Sequence, residues 1–219
     1  MECIEKYGDL IRLIPVKKQS TTIRRDVWKK RFSSIDETLD EIFGSEKVVE
    51  ISREEVLSEQ KLEKKIVMVL MWGYPTGGRG NNIESILKQI NDLKELLTCI
   101  EGKNLQVDRA KEIMAEFAKI TGLGISTWSK LLYFFEVSFD SLKCQIYDQK
   151  IVDSLNKKQF EEIDGHQFRE LETKQWKQDS KYYFEYIKLV DDLAKGLNCE
   201  SPDQIELFLF YYNLDYKFI

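Results

Sequence analysis

The 219-residue sequence holds three prolines, one histidine and four cysteines, and none of its apolar runs reaches the length of a membrane span. So few prolines, beside 11 glycines and 42% apolar residues, exclude collagenous and low-complexity chains and leave enough apolar side chains to bury a core. The longest apolar run, Ile66 to Trp72, is far shorter than the roughly 20 residues a bilayer demands. Cys3, Cys99, Cys144 and Cys199 form no CxxC pair and no zinc or iron–sulfur spacing, which points to reduced thiols in a cytoplasmic protein. The first ten residues carry acids and lack the apolar core of a secretion signal. His166 has no second histidine and no cysteine at ligand spacing, so neither a zinc site nor a Ser-His-Asp triad is expected.

Charge is unevenly spread. Residues 1–31 carry nine Lys/Arg against four Asp/Glu, while the whole chain has 33 against 38; the first stretch is therefore basic by five charges and the rest acidic by ten. Overall acidity is not the signature of a nucleic-acid binder, whose affinity comes mainly from Lys and Arg on phosphates, but a local basic surface would serve. Arg24 to Phe32 joins five positive charges with Trp28 and Phe32. It reads equally as a set of phosphate and stacking contacts or as a solvated helix face with Trp28 anchored in the body. Thr76-Gly77-Gly78-Arg79-Gly80 lacks the Gly-Lys-Ser/Thr ending of a nucleotide-triphosphate loop.

Helix signals dominate after residue 33. Ser33-Ser34-Ile35-Asp36-Glu37 opens a short helix with apolar Ile35, Leu39, Ile42 and Phe43, closed by Gly44. Ser52-Arg53-Glu54-Glu55 is a capping box that opens a helix reaching about Trp72, ended by the loop Gly73 to Gly80. Ile83 through Leu97 and Val107 through Ile120 keep helical apolar spacing, and helices follow near 126–136, 148–158 and 182–197. Ser201-Pro202-Asp203-Gln204 is a second capping box leading to about Tyr212. Strand-like stretches are confined to Leu10–Val16 and Ser20–Ile23. These elements predict a mostly α chain, with a small basic N-terminal region over 1–50 packed on a helical body over 51–219. Tyr182, Tyr183, Phe184, Tyr186, Phe210, Tyr211 and Tyr212 read as core.

The most informative stretch is Ile120-Thr121-Gly122-Leu123-Gly124-Ile125-Ser126-Thr127, where one apolar helix runs through a Gly-x-Gly turn into another. Glycines permit a tight turn and close approach to a ligand, and the new helix offers free N–H groups to a phosphate. The plainer reading is an ordinary helical hairpin. Asp148 follows a short apolar run, Cys144 to Tyr147, and opens the next helix, where it is either a cap or a functional carboxylate.

Together the hairpin and Asp148, 22 positions after Ser126, resemble the helix-hairpin-helix DNA glycosylases, and the end of the chain resembles their 8-oxoguanine branch. The resemblance covers about residues 66–219. It implies a mostly α helix-hairpin-helix glycosylase fold with a reduced N-terminal appendage, the hairpin lying at 120–130. It further implies that Asp148 carries the chemistry and that Gly122 and Gly124 hold the DNA backbone, with a monovalent cation on the hairpin carbonyls as the one ion it suggests. Gln204 and Phe208, four residues apart on one helix face, would read and stack a flipped base, the alternative being a capping Gln beside a core Phe. Gly80-Asn81-Asn82 is similar to the turn these enzymes wedge into the emptied stack; Arg79 and Lys150 complete the expected DNA-binding set.

The sequence also departs from the resemblance. Lyase-active relatives carry a lysine two residues after the second hairpin glycine, where this chain has Ser126. That predicts a monofunctional enzyme that hydrolyses the N-glycosidic bond of a modified guanine. Lys130, one turn on, is either a displaced amine nucleophile or a phosphate contact or surface charge. The expected partner is DNA or another nucleic acid, without membrane association, in base excision repair or in antiviral defence, where protein partners would join it. The alternative is a glycosylase fold with altered chemistry that binds a modified nucleobase or a protein.

Overall fold

The computed structural model describes residues 2–157, 160–164 and 180–212. Its N-terminal region opens with a short helix, α1 (Gly8–Arg12), followed by an antiparallel pair, β1 (Ser20–Arg24) and β2 (Val48–Ser52), with Ser20 opposite Ser52 and Arg24 opposite Val48. Between these strands lie α2 (Arg25–Arg31) and α3 (Asp36–Phe43). Leu10–Val16 is thus not a strand: Leu10 to Arg12 are helical, and Ile11 is fully buried. The partner strand Val48–Ser52 alternates too weakly in hydrophobicity to stand out in the sequence; of its five residues only Ile51 is buried.

The capping box at Ser52 forms as expected, with the Glu55 amide donating to the Ser52 hydroxyl and the Ser52 amide to the Glu55 carboxylate. The helix it opens, α4 (Arg53–Ser58), is nevertheless short. Glu59 accepts from the amides of Gln60 and Lys61, ending α4 and starting a separate helix, α5 (Leu62–Gly73). α5 is buried from Lys65 to Trp72 and forms the central rod of the body. Lys65 is buried as well, and its charge is paired with the partly exposed carboxylate of Glu101 at 2.9 Å. The expected single helix over 83–97 is also two, α6 (Asn82–Lys88) and α7 (Ile90–Ile100), broken at Gln89.

Then come β3 (Asn104–Leu105), α8 (Val107–Lys119), α9 (Ile125–Phe134), β4 (Ser138–Phe139) and β5 (Leu142–Lys143). The three short strands form one small sheet in the order β3-β4-β5. α10 (Gln149–Asn156) and α11 (Glu161–Asp164) precede the long α12 (Ser180–Gly196) and the final α13 (Asp203–Tyr212). α9 is almost wholly buried against α5, and α13 packs on α10 and α12. Among the described residues no helix is long and apolar enough to cross a membrane. His166 lies outside the described residues.

Candidate active site

The hairpin joins α8 to α9. Gly122 sits at φ +89°, in the left-handed region that favours glycine, and a Cβ there would stand 2.6 Å from the backbone oxygen of Asn82. The hairpin is therefore seated directly on the Asn81-Asn82 turn, both of whose residues are exposed. Gln89, at the break between α6 and α7, fastens the same place through the Thr121 amide at 3.4 Å. Gly124 precedes α9, and its carbonyl accepts from the amides of Thr127 and Trp128. Gly122, Gly124 and Ser126 remain partly accessible while Leu123, Ile125 and Thr127 are buried, so the chain's accessible edge here is small and polar.

Asp148 is the N-cap of α10, its Oδ1 accepting from the amides of Lys150 at 3.1 Å and Ile151 at 3.3 Å. Its Oδ2 faces the Lys130 ammonium at 3.6 Å. Lys130 is 3% exposed and is neither a surface charge nor a free phosphate contact. Its Nζ also donates to the Ser126 carbonyl at 2.9 Å and hydroxyl at 3.1 Å, and lies 5.7 Å from the Tyr74 ring. The lysine stem runs over Gly73, where a Cβ would come within 2.8 Å of its Cδ. Tyr74 is fixed in turn by its hydroxyl, 2.7 Å from Thr127 Oγ1. An amine, a carboxylate and the hydroxyl of Ser126 thus meet at the first two turns of α9, beside the hairpin.

Ser129, which the sequence does not single out, and Tyr183 and Tyr186, which are buried as expected of core residues, hold Asp148 there. Ser129 accepts the Tyr147 amide at 3.0 Å, pinning the chain before Asp148 to the turn of α9 that carries Lys130. Tyr183 and Tyr186 donate from α12 to the carbonyls of Gln145 and Ile146 at 2.9 and 2.8 Å. The one available signal was their i, i+3 spacing, which places both hydroxyls on one helix face.

A model of the protein family described as putative 8-oxoguanine DNA glycosylase OGG-like protein matches residues 14–210. The chain belongs to that family. The match reaches back through β1 and α2 and starts after α1. Family membership carries DNA binding with it. Comparison with curated proteins and with solved structures gave no match.

In this OGG-like chain Gln204 and Phe208 do not form an open base pocket. The Gln204 amide donates to the Arg12 carbonyl at 2.6 Å and accepts from the Glu200 amide at 2.9 Å, tying α13 to α1. Phe208 is fully buried, its ring 5.3 Å from that of Tyr7 and 5.9 Å from that of Phe160. The i, i+4 spacing is real, but the face it defines is turned to the core. Lys150 lies over the Phe210 ring at 4.5 Å, and Arg79 is exposed on the glycine-rich loop.

Behind Asp148 stands a buried polar group. Arg53 and Glu206 pair at 2.7 Å with neither side chain exposed, the guanidinium 4.9 Å from the Tyr133 ring and 5.3 Å from that of Trp72. Burial pushes the Glu206 carboxyl up to about 7 against the pull of Arg53, and the charges of Asp148 and Asp203 add to the rise. Asp203 accepts from Tyr133, Lys143 and Gln145. Burial works to raise its carboxyl, but Lys143 and Arg53 outweigh burial and hold it below its ordinary value. Among the described residues no group of three or more His, Cys, Asp or Glu side chains is placed to hold a metal ion.

Proposed function

We propose that this protein is a DNA N-glycosylase that releases a modified guanine, with Asp148 as its carboxylate and, in place of the water expected from Ser126 and a monofunctional enzyme, the buried Lys130 as its amine nucleophile. The observation that carries the reading is the approach of Lys130 Nζ to Asp148 Oδ2, 3.6 Å, beside a hairpin suited to a DNA phosphate. The substrate class follows the family description, which names 8-oxoguanine.

Departure of a base leaves positive charge on the sugar. A carboxylate at fixed distance stabilises that charge, and with Oδ1 engaged by two amides, Oδ2 of Asp148 is the oxygen left to do so. The Lys130 ammonium first gives one proton to Asp148, and the freed amine attacks C1′ as the glycosidic bond breaks; the base leaves with the electron pair and takes up that proton from Asp148, which is again a carboxylate. The new C1′–N bond puts a proton in excess on nitrogen; Asp148 accepts it and passes it to the ring oxygen as the sugar opens to a protonated imine. Loss of a C2′ proton with departure of the 3′ phosphate, a β-elimination, then nicks the strand. Ser126, at the position where lyase-active relatives carry lysine, serves instead as a hydrogen-bond acceptor that aims the displaced amine.

Borohydride trapping on duplex DNA containing 8-oxoguanine tests the reading. The wild type is expected to form a covalent adduct and Lys130→Ala none. Base release without an adduct would make water the nucleophile. Binding without base release would make the fold a recognition module.

A further inference from the structure

The loop between α5 and α6 is shaped from outside itself. The Arg31 guanidinium, at the end of α2, donates through Nη1 to the carbonyls of Thr76 at 3.2 Å and Gly78 at 3.1 Å, and through Nη2 to that of Gly80 at 2.9 Å. One turn back, Trp28 Nε1 donates to the Pro75 carbonyl at 3.2 Å. Gly77, Gly78 and Gly80 all lie at positive φ, +78°, +73° and +60°, a path that ordinary residues at these positions would resist. A Cβ at Gly77 would stand 2.8 Å from Arg31 Nη1. The loop carries little apolar weight of its own, since Thr76, Arg79 and Gly80 are exposed. Its shape therefore depends on the forked guanidinium, which serves three carbonyls at once; a lysine offers one point of charge.

Both ends of this loop enter the candidate site. At the start, Gly73 makes room for the Lys130 stem and Tyr74 flanks its ammonium. At the far end, the Asn82 backbone is the surface on which Gly122 rests.

We propose that Arg31 is a positioning residue for base excision, holding the Thr76–Gly80 loop so that Asn81 and Asn82 enter the gap left by a flipped base. The proposal rests on the glycosylase reading and assigns a task to the basic N-terminal segment: Arg31 faces loop carbonyls rather than phosphates. The loop is pre-shaped before DNA arrives, and insertion costs less ordering.

The test needs no turnover, so it separates this proposal from the glycosylase reading. Wild type, Arg31→Lys and Arg31→Met are titrated against a duplex bearing a tetrahydrofuran abasic-site analogue opposite 2-aminopurine, and against the same lesion strand alone. Both variants are expected to lose about 10-fold to 100-fold in affinity for the duplex, and the 2-aminopurine response, while single-strand affinity stays within about twofold. Amide hydrogen exchange of the free Arg31→Met protein is expected to quicken over residues 76–82 and nowhere in α5 or α9. Equal losses on both ligands, an unchanged ratio, unchanged loop exchange, or a wild type with no preference for the gapped duplex would each overturn the proposal. A wild type that binds this way but releases no base removes the glycosylase reading and leaves Arg31 only as the support of the loop that enters an emptied stack.

Discussion

Asp148 divides its two oxygens between holding a helix and facing an amine, and the division makes its chemistry separable from its folding role. Asparagine keeps a carbonyl oxygen able to cap α10 and loses only the charge directed at Lys130. Asp148→Asn is expected to lower single-turnover base release by about 10²-fold to 10⁴-fold with DNA affinity and thermal midpoint nearly unchanged. A parallel fall in affinity and release would reduce Asp148 to a cap. Phe208 behaves in the opposite way. Its ring is enclosed by those of Tyr7, Phe160 and Tyr212, so Phe208→Ala is expected to cost about 3–5 kcal/mol of stability in urea titration and to leave base preference as it was. The sequence made Asp148 visible because a cap and a preceding apolar run are local patterns. The inward turn of Gln204 and Phe208 was not visible, since their partners Arg12 and Tyr7 lie 192 and 201 positions away.

Among the elements, the hairpin shows which glycine is indispensable. Gly122→Ala must hold a left-handed backbone, at about 1–3 kcal/mol, and push its methyl into the Asn82 carbonyl. Gly124 has ordinary φ, −86°, and a methyl group added there would meet nothing within 4 Å, so Gly124→Ala is expected to stay within about 0.5 kcal/mol of wild type. Differential scanning calorimetry of the two variants should separate them, and equal midpoints would show that the hairpin is not seated on the Asn81-Asn82 turn. The Gly-x-Gly pattern was legible from the chain; the unequal weight of its glycines was not, because it depends on a turn 40 residues earlier. Helix boundaries were legible where a cap lay at the boundary, as at Ser52. They failed at Glu59 and Gln89, where a side chain interrupts an apolar period that otherwise runs on. The short apolar run at Leu10 misled for a different reason: Ile11 is buried by contact with the body and not by an alternating strand face.

At the scale of the molecule, Arg53 is the residue through which the N-terminal region and the body share one core. Its backbone and side chain bond Gln19, its guanidinium lies against Trp72 of α5 and Tyr133 of α9, and its charge meets Glu206 of α13. None of this could be read from Ser52-Arg53-Glu54-Glu55, which spells a helix start and suggests a solvated arginine. Arg53→Met keeps the apolar volume and leaves the Glu206 carboxylate buried without its cation, a change expected to cost about 3–5 kcal/mol. The pH dependence has a definite sign. Burial already lifts Glu206 from its ordinary 4.5 to about 7, and loss of Arg53 lifts it further. A carboxyl whose folded pKa is raised binds its proton more tightly in the folded state. Its contribution is therefore fully present below about 4.5 and is lost as pH climbs through the folded value. Denaturant titrations near pH 5 and pH 8 should then show Arg53→Met weakened at both, with the larger deficit near pH 8. Replacing Glu206 by leucine in the same protein removes the stranded charge, and this double variant should recover most of the lost stability and lose the added pH dependence. A deficit equal at both pH values and untouched by the second substitution would mean that Arg53 contributes packing between its two aromatic rings and no charge pairing.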